Sequence, residues 1–100
     1  MTYPLSIITP EGQVYEGQVQ ALTAVGYDGG FGVLANHAPM IVKILPGVVK
    51  VTADKDLFFS VGAGVLEVNA SHHVLLLVDA AFPGATEEEA KSKIKELIVT

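Results

Sequence analysis

The chain has 100 residues, enough for one small domain and too few for a two-domain enzyme. Half of the residues are hydrophobic and 17% are charged, which excludes a disordered chain, and a net charge of −5 argues against nucleic-acid binding. There is no cysteine, so disulfides and thiolate metal sites are excluded, and the longest aliphatic run, Val74–Val78, is far too short for direct membrane insertion.

Apolar residues recur with a period of two over most of the chain, and Gly, Pro, Asn and Asp separate the runs. This alternation is typical of β-strands, and the short turns between the runs favour antiparallel hairpins. We therefore predict a mainly β fold, a flattened antiparallel β-sandwich or barrel. The predicted strands cover residues 5–9, 14–25, 31–34, 40–45, 48–53, 57–61, 65–69 and 74–78.

The alternation also predicts which face each side chain occupies. In the long second strand, Gln18 and Gln20 should face solvent, because successive side chains of a strand point to opposite faces. The other face of that strand should carry Val19, Ala21, Thr23 and Val25.

Three of the predicted strands, 40–45, 57–61 and 74–78, are apolar on both faces. The core of one small domain cannot bury both faces of all three strands. Their second faces must be covered either by loops and a terminal helix or by a partner chain. The sequence leaves both alternatives open, and the second would make the protein a subunit of a larger assembly.

The period changes from that of a strand to that of a helix after Asp79. Pro83 and Gly84 should end the sheet pattern, and Thr86 and Glu89 have the spacing of a capping box at a helix start. We therefore predict a sandwich domain over residues 1–82 and a C-terminal helical segment over residues 83–100.

The predicted helix is amphipathic. Ion pairs four residues apart should join Glu87 to Lys91 and Glu89 to Lys93 on its polar face. Its apolar stripe, which must dock on the sheet, consists of Ala90, Ile94, Leu97 and Ile98.

A glycine-rich stretch, GYDGGFGVLANHAP, covers residues 26–39. It contains the pattern G-x-G-x-x-A of dinucleotide-binding loops, but Pro39 and the β-rich run after it exclude the helix that this motif requires. His37 either bonds the backbone of its own turn or contacts a partner.

Other polar residues do not form a catalytic or metal site. Adjacent His72 and His73 would point to opposite faces of a strand, which favours a turn over a metal site, and Ser60 lacks the flanking glycine of a nucleophile elbow. From the residues alone we expect no catalytic site, no cofactor and no metal, and a free-standing β-sandwich that binds a small molecule remains the alternative to a subunit.

Three motifs, in this order along the chain, resemble the epsilon subunit of bacterial and chloroplast (F-type) ATP synthases. They are Asn36-His37-Ala38-Pro39, Pro46-Gly47-Val48-Val49, and GVLEV at residues 64–68 followed by VDAA at residues 78–81. The resemblance covers nearly the whole chain. It implies a flattened β-sandwich followed by a C-terminal helical hairpin, of which this chain has one helix as a remnant.

The resemblance also implies a function. The chain would be a non-catalytic subunit of the central stalk, coupling rotation of the c-ring through the gamma subunit to ATP synthesis in a proton-translocating enzyme. It would lie peripherally on the cytoplasmic face of the bacterial inner membrane or the stromal face of the thylakoid. Its partners would be gamma, the c-ring and, through the C-terminal helix, the alpha and beta subunits. The residues nearest the ring and gamma would be Asp28, Phe31, Asn36 and His37.

Three departures from the family pattern qualify this implication. Gly30 stands where many members have an acidic residue, so a carboxylate contact to the ring would have to come from Asp28. Only one C-terminal helix is present, which implies reduced inhibition of ATP hydrolysis. Lys91 replaces the arginine of the family's ATP-binding motif and lacks its bidentate geometry, so we expect no bound ATP.

Overall fold

Ten β-strands and one α-helix make up the described part of the chain in the computed structural model, which covers residues 1–26 and 29–98, with side chains to Glu96. The first five strands are β1 (Tyr3–Thr9), β2 (Gly12–Val19), β3 (Ala21–Gly26), β4 (Gly29–Leu34) and β5 (Met40–Ile44). They are followed by β6 (Gly47–Thr52), β7 (Asp56–Val61), β8 (Gly64–Val68), β9 (Val74–Val78), β10 (Ala81–Gly84) and the helix α1 (Glu87–Ile98).

The strands form a single folded-over sheet. Its order is β10-β7-β6-β3-β5-β8-β9-β1-β2, and β4 pairs with β3 outside this path. All of the described pairs are antiparallel except β1 with β9, which is parallel. The predicted mainly β sandwich with one C-terminal helix is confirmed.

The core lies between the two halves of this sheet. Strands β5, β8, β9, β1 and β2 form one half, and β4, β3, β6, β7 and β10 form the other. Burying each large apolar side chain stabilises the fold by roughly 1.5–3 kcal/mol. Fully buried side chains from both halves include Leu5, Ile7, Leu22, Ile44, Val49, Val51, Leu66 and Leu76.

The long second strand predicted from the sequence is wrong, because the chain breaks at Gln20 into β2 and β3. The Gln20 amide donates a hydrogen bond of 2.7 Å to the Thr52 carbonyl as the chain leaves the β1 ladder and joins β6. The extra residue reverses the alternation. Val19 is buried as predicted, but beyond Gln20 the buried residues are Leu22 and Ala24, while Thr23 and Val25 are exposed.

The expected end of the sheet at Pro83 is also wrong. Residues Ala81–Gly84 form β10, which pairs antiparallel with β7 and places Pro83 opposite Phe59. Proline cannot donate a ladder hydrogen bond, but β10 is an edge strand with a partner on one side only, so the missing donor is tolerated.

The helix α1 packs against β6, β7 and β10. The Thr86 hydroxyl accepts a 3.1 Å hydrogen bond from the Glu89 amide, which is one half of the predicted capping box, and Glu87 pairs with Lys91 at 3.1 Å as expected. Among the apolar residues, Ala90 is fully buried and Ile94 is half-buried, and the predicted side-chain positions of Leu97 and Ile98 lie outside the described residues.

The predicted ion pair between Glu89 and Lys93 is wrong. The Lys93 ammonium lies 4.6 Å from the ring centroid of Phe82 and pairs with Glu96 at 3.5 Å. The aromatic ring of β10, a strand absent from the prediction, attracts this ammonium group by a cation–π interaction.

A buried hydrogen bond fastens α1 to the sheet. Ser60 in β7 is 1% exposed, and its hydroxyl donates to the Ala90 carbonyl at 2.6 Å. We expect Ser60→Ala to weaken docking of the helix by about 1 kcal/mol, the usual net worth of a buried hydrogen bond. Amide hydrogen exchange in α1 should become about fivefold faster. Ser92→Ala, at an exposed position of the same helix, is the control, and unchanged exchange in Ser60→Ala would show that this bond does not hold α1.

Candidate functional site

The turn between β4 and β5 contains two of the site residues predicted from the sequence. Asn36 is exposed and has a positive φ of 64°, a conformation that asparagine adopts more readily than most residues. The ring Nδ1 of His37 lies 2.8 Å from the Ala38 carbonyl oxygen, so this nitrogen carries the proton and donates. His37 therefore makes the bond within its own turn that was one of its two alternatives, and its half-exposed ring remains available to a partner.

Phe31 and His37 line one cavity of about 500 Å³ between β4 and β5. Phe31 is half-buried and packs against the core, beside Gly26, where a Cβ atom would come within 2.9 Å of the phenylalanine ring. Asn36 is not part of this lining, so the structure brings together two of the three described candidates. The fourth predicted residue, Asp28, lies outside the described residues.

The hairpin between β8 and β9 supports this turn from the side. His72 lies at the tip of the hairpin with a φ of 64°, and its Nδ1 is 3.4 Å from the carbonyl oxygen of His37. The Asn69 side chain accepts hydrogen bonds from the amides of Ser71 and His73 at 2.9 and 3.1 Å. The turn role predicted for the two adjacent histidines is confirmed, and the dinucleotide-loop pattern lies in β4 and is followed by a strand.

The strands that are apolar on both faces divide into two groups. The helix α1 lies over the outer side of β6 and β7, so the outward Phe58 of the second such strand is half-buried. No described element covers the outward side chains of β5, β8 and β9. The terminal helix therefore covers the second face of one such strand, and the second faces of the other two stay uncovered among the described residues.

The uncovered side chains form a continuous patch, the outer apolar face. Ladder pairing puts Ile8, Leu77 and Val65 in one row and Leu75 in the next. Ile41 is 72% exposed, and Leu77 and Val65 are 39% and 37% exposed, which is unusual for large aliphatic side chains in register. The outer apolar face consists of Ile8, Ile41, Val65, Leu75 and Leu77.

One charged residue of this face escaped the sequence analysis. Glu67 lies in β8 directly between Ile41 and Leu75 in the ladder. Its outward position follows from the buried neighbours Leu66 and Val68, but recognising its apolar surroundings requires the strand order.

Within the described part of the chain, no three His, Asp or Glu side chains come together as metal ligands would. No helix in that part combines the length and the apolar character needed to span a membrane.

Comparison with known proteins agrees with the architecture. The family described as "ATP synthase, Delta/Epsilon chain, beta-sandwich domain" matches residues 2–84. A relative described as "ATP synthase epsilon chain", from a Nitratiruptor species, is 37% identical over 98 residues, which are 95% of this chain and 76% of the relative.

Two solved structures share the fold. A chain of the Euglena gracilis mitochondrial ATP synthase (OSCP/F1/c-ring) superposes with a TM-score of 0.79 at 23% identity, over 95% of this chain and 62% of that chain. A chain of the Tetrahymena thermophila mitochondrial ATP synthase central stalk and c-ring gives a TM-score of 0.73 at 15% identity. That superposition covers 82% of this chain and 66% of the Tetrahymena chain. This chain thus spans slightly under two thirds of the two solved chains.

These findings do not favour the free-standing small-molecule binding module. The match to the family extends over most of the chain, and the relative at 37% identity supports it independently. The chain therefore belongs to the delta/epsilon chain family of F-type ATP synthases, as a non-catalytic subunit.

Proposed function

We propose that this chain is the rotor subunit that couples c-ring rotation, through gamma, to ATP synthesis at distant catalytic sites. A coupling subunit must be stiff, because any deformation of it would absorb the rotation that it passes on. The continuous ladder of strands and the close-packed core supply that stiffness.

The observation that carries this proposal is the outer apolar face. Its side chains are in register on β1, β5, β8 and β9, so they form one rigid surface on paired strands. A permanent partner buries apolar surface of this kind. A surface that stays exposed to solvent has no need of apolar side chains, because polar residues there would cost no stability. We assign gamma to the outer apolar face.

The c-ring is assigned to the glycine-rich stretch, residues 26–39. Phe31 lies within β4, Asn36 and His37 follow the far end of that strand, and Asp28 belongs to the same stretch. Gly29 has a φ of 114°, which glycine tolerates and other residues rarely adopt. The exposed backbone of Gly29 and Gly30 would let a polar loop approach closely.

The C-terminal segment, residues 83–100, is assigned a minor role, the inhibition of ATP hydrolysis. To reach the alpha and beta subunits, α1 must leave the sheet and break the bond between Ser60 and Ala90. This bond opposes release of the helix, so we propose reduced inhibition of ATP hydrolysis. The sandwich, residues 1–82, would remain peripheral to the membrane, on the cytoplasmic or stromal face.

A binding experiment with purified gamma from the same organism tests the assignment of the outer apolar face. We expect Leu77→Lys to weaken binding about 100-fold, because docking would bury a lysine with no partner. The variant should fold normally, since the Leu77 side chain faces solvent in the isolated chain.

Leu34→Lys is the matched control, because Leu34 is 66% exposed but lies on β4, away from the outer apolar face. Its affinity for gamma should stay within about threefold of the parent. Equal affinities for the parent and Leu77→Lys would contradict the assignment.

A further inference from the structure

Glu67 is a carboxylate whose directly opposed ladder neighbours on the outer apolar face are aliphatic, with Lys43 on the diagonal. It faces Ile41 on one neighbouring strand and Leu75 on the other, and Val65 precedes it on the same side of β8. Residues directly opposite each other in a ladder have Cβ atoms about 5 Å apart, so these side chains surround the carboxylate closely. Glu67 is half-buried in the isolated chain.

The carboxylate of Glu67 has no hydrogen-bond or ion-pair partner among residues 1–26 and 29–96, whose side chains the structure describes. The lysine of this face, Lys43, lies in the adjacent row, opposite Val65. Solvent is therefore what stabilises the Glu67 charge while the outer apolar face is uncovered.

Covering the face would remove that solvent. A purely apolar partner surface would leave the carboxylate buried and unpaired, which costs more free energy than the surrounding aliphatic contacts return. A partner that fits this face must therefore place a cation against Glu67, within a surface that is otherwise apolar.

We propose that Glu67 is the specificity-determining residue of the outer apolar face, and that the docked partner supplies one lysine or arginine to it. This inference rests on the proposed function, in which gamma covers the face. The aliphatic side chains provide area without selectivity, and the carboxylate rejects apolar surfaces that lack the matching charge.

The test measures the affinity of purified gamma from the same organism for the full chain and three variants, at low and high salt. Glu67→Gln keeps the size of the side chain but removes its charge, and binding should weaken about 30-fold or more. Its affinity should also depend less on salt than that of the parent. Glu67→Leu should also bind more weakly than the parent, although it makes the face more apolar.

Glu16→Gln is the matched control. Glu16 lies in the same row of the sheet, opposite Ser6, but is exposed on the edge strand β2. Glu16→Gln changes the net charge by the same amount as Glu67→Gln and should alter the affinity for gamma less than twofold. Thermal unfolding of all three variants should resemble the parent, since both glutamates point away from the core.

The outcomes separate this inference from the proposed function. If Leu77→Lys loses gamma while Glu67→Gln binds like the parent, or if Glu67→Leu binds more tightly, the face docks gamma but no cation meets Glu67, and the inference is overturned. If gamma does not bind the parent, or binds Leu77→Lys equally well, the assignment of the face fails and the inference fails with it. Loss of binding in all three variants at positions 67 and 77, with Glu16→Gln unaffected, supports both.

Discussion

Gly64→Ala should lower the melting temperature of the protein far below that of the parent. A Cβ atom at residue 64 would overlap the carbonyl oxygen of Leu77 and come within 2.7 Å of the Cα atom of Val78. Both atoms belong to the backbone of β9, which is held between β8 and β1, so neither can move aside as a flexible side chain would.

We expect a loss of roughly 3 kcal/mol or more, at or above the upper end of overpacking costs. For a domain of this size that loss lowers the melting temperature by about 15 °C or more, as measured by circular dichroism.

Gly30→Ala provides the matched control for this substitution. The nearest atom to a Cβ at residue 30 is the carbonyl oxygen of Ala24 at 3.8 Å, an ordinary contact. Its stability should change by less than about 0.5 kcal/mol. A Gly64→Ala variant that melts within a few degrees of the parent would show that β8 and β9 are less tightly apposed than the structure indicates.

Stability should fall steeply in alkali because of Tyr3. This tyrosine is 2% exposed, its hydroxyl donates to the Val33 carbonyl at 2.8 Å, and burial raises its pKa from 10.0 to about 12. The folded state holds the phenol proton more tightly than the unfolded chain does, so the stabilisation is complete below pH 10 and is lost between pH 10 and 12. A difference of this size between the two pKa values corresponds to roughly 3 kcal/mol of stability.

Tyr3→Phe isolates this contribution from other groups that titrate in alkali. At neutral pH the variant should be about 1 kcal/mol less stable, because the Val33 carbonyl loses its buried donor. Between pH 10 and 12 the parent should lose stability faster, so that near pH 12 the variant becomes the more stable protein. Urea unfolding at a series of pH values measures both, and parallel curves for the two proteins would contradict the role given to Tyr3.

Period-two alternation was enough to predict the fold class and most strands, because a buried face repeats every second residue wherever a strand runs unbroken. It failed at Gln20, where one residue outside the ladder reverses the faces of everything up to Gly26. It failed again at Pro83, since only the strand order shows that β10 is an edge. Both errors concern pairing between distant segments, which local sequence does not encode.

The candidate site residues also fall into those that the sequence identified and those that only the strand pairing revealed. The loop residues Asn36 and His37 were identified through resemblance, and the structure gives each a local backbone reason for its position. The outer apolar face was anticipated only as an excess of apolar strands. Glu67 could not be recognised as its central charge until the ladder placed Ile41 and Leu75 on either side of it.

The measurement that tests the central claim most directly uses the absence of cysteine from this chain. Single cysteines at Ile41, Val65, Leu77 and, as a control, Leu34 would be labelled with a maleimide with and without purified gamma. If the outer apolar face docks gamma, labelling should slow at least tenfold at the first three positions and remain unchanged at Leu34. Equal labelling rates at the first three positions with and without gamma would contradict the claim that this face exists to hold a neighbouring subunit.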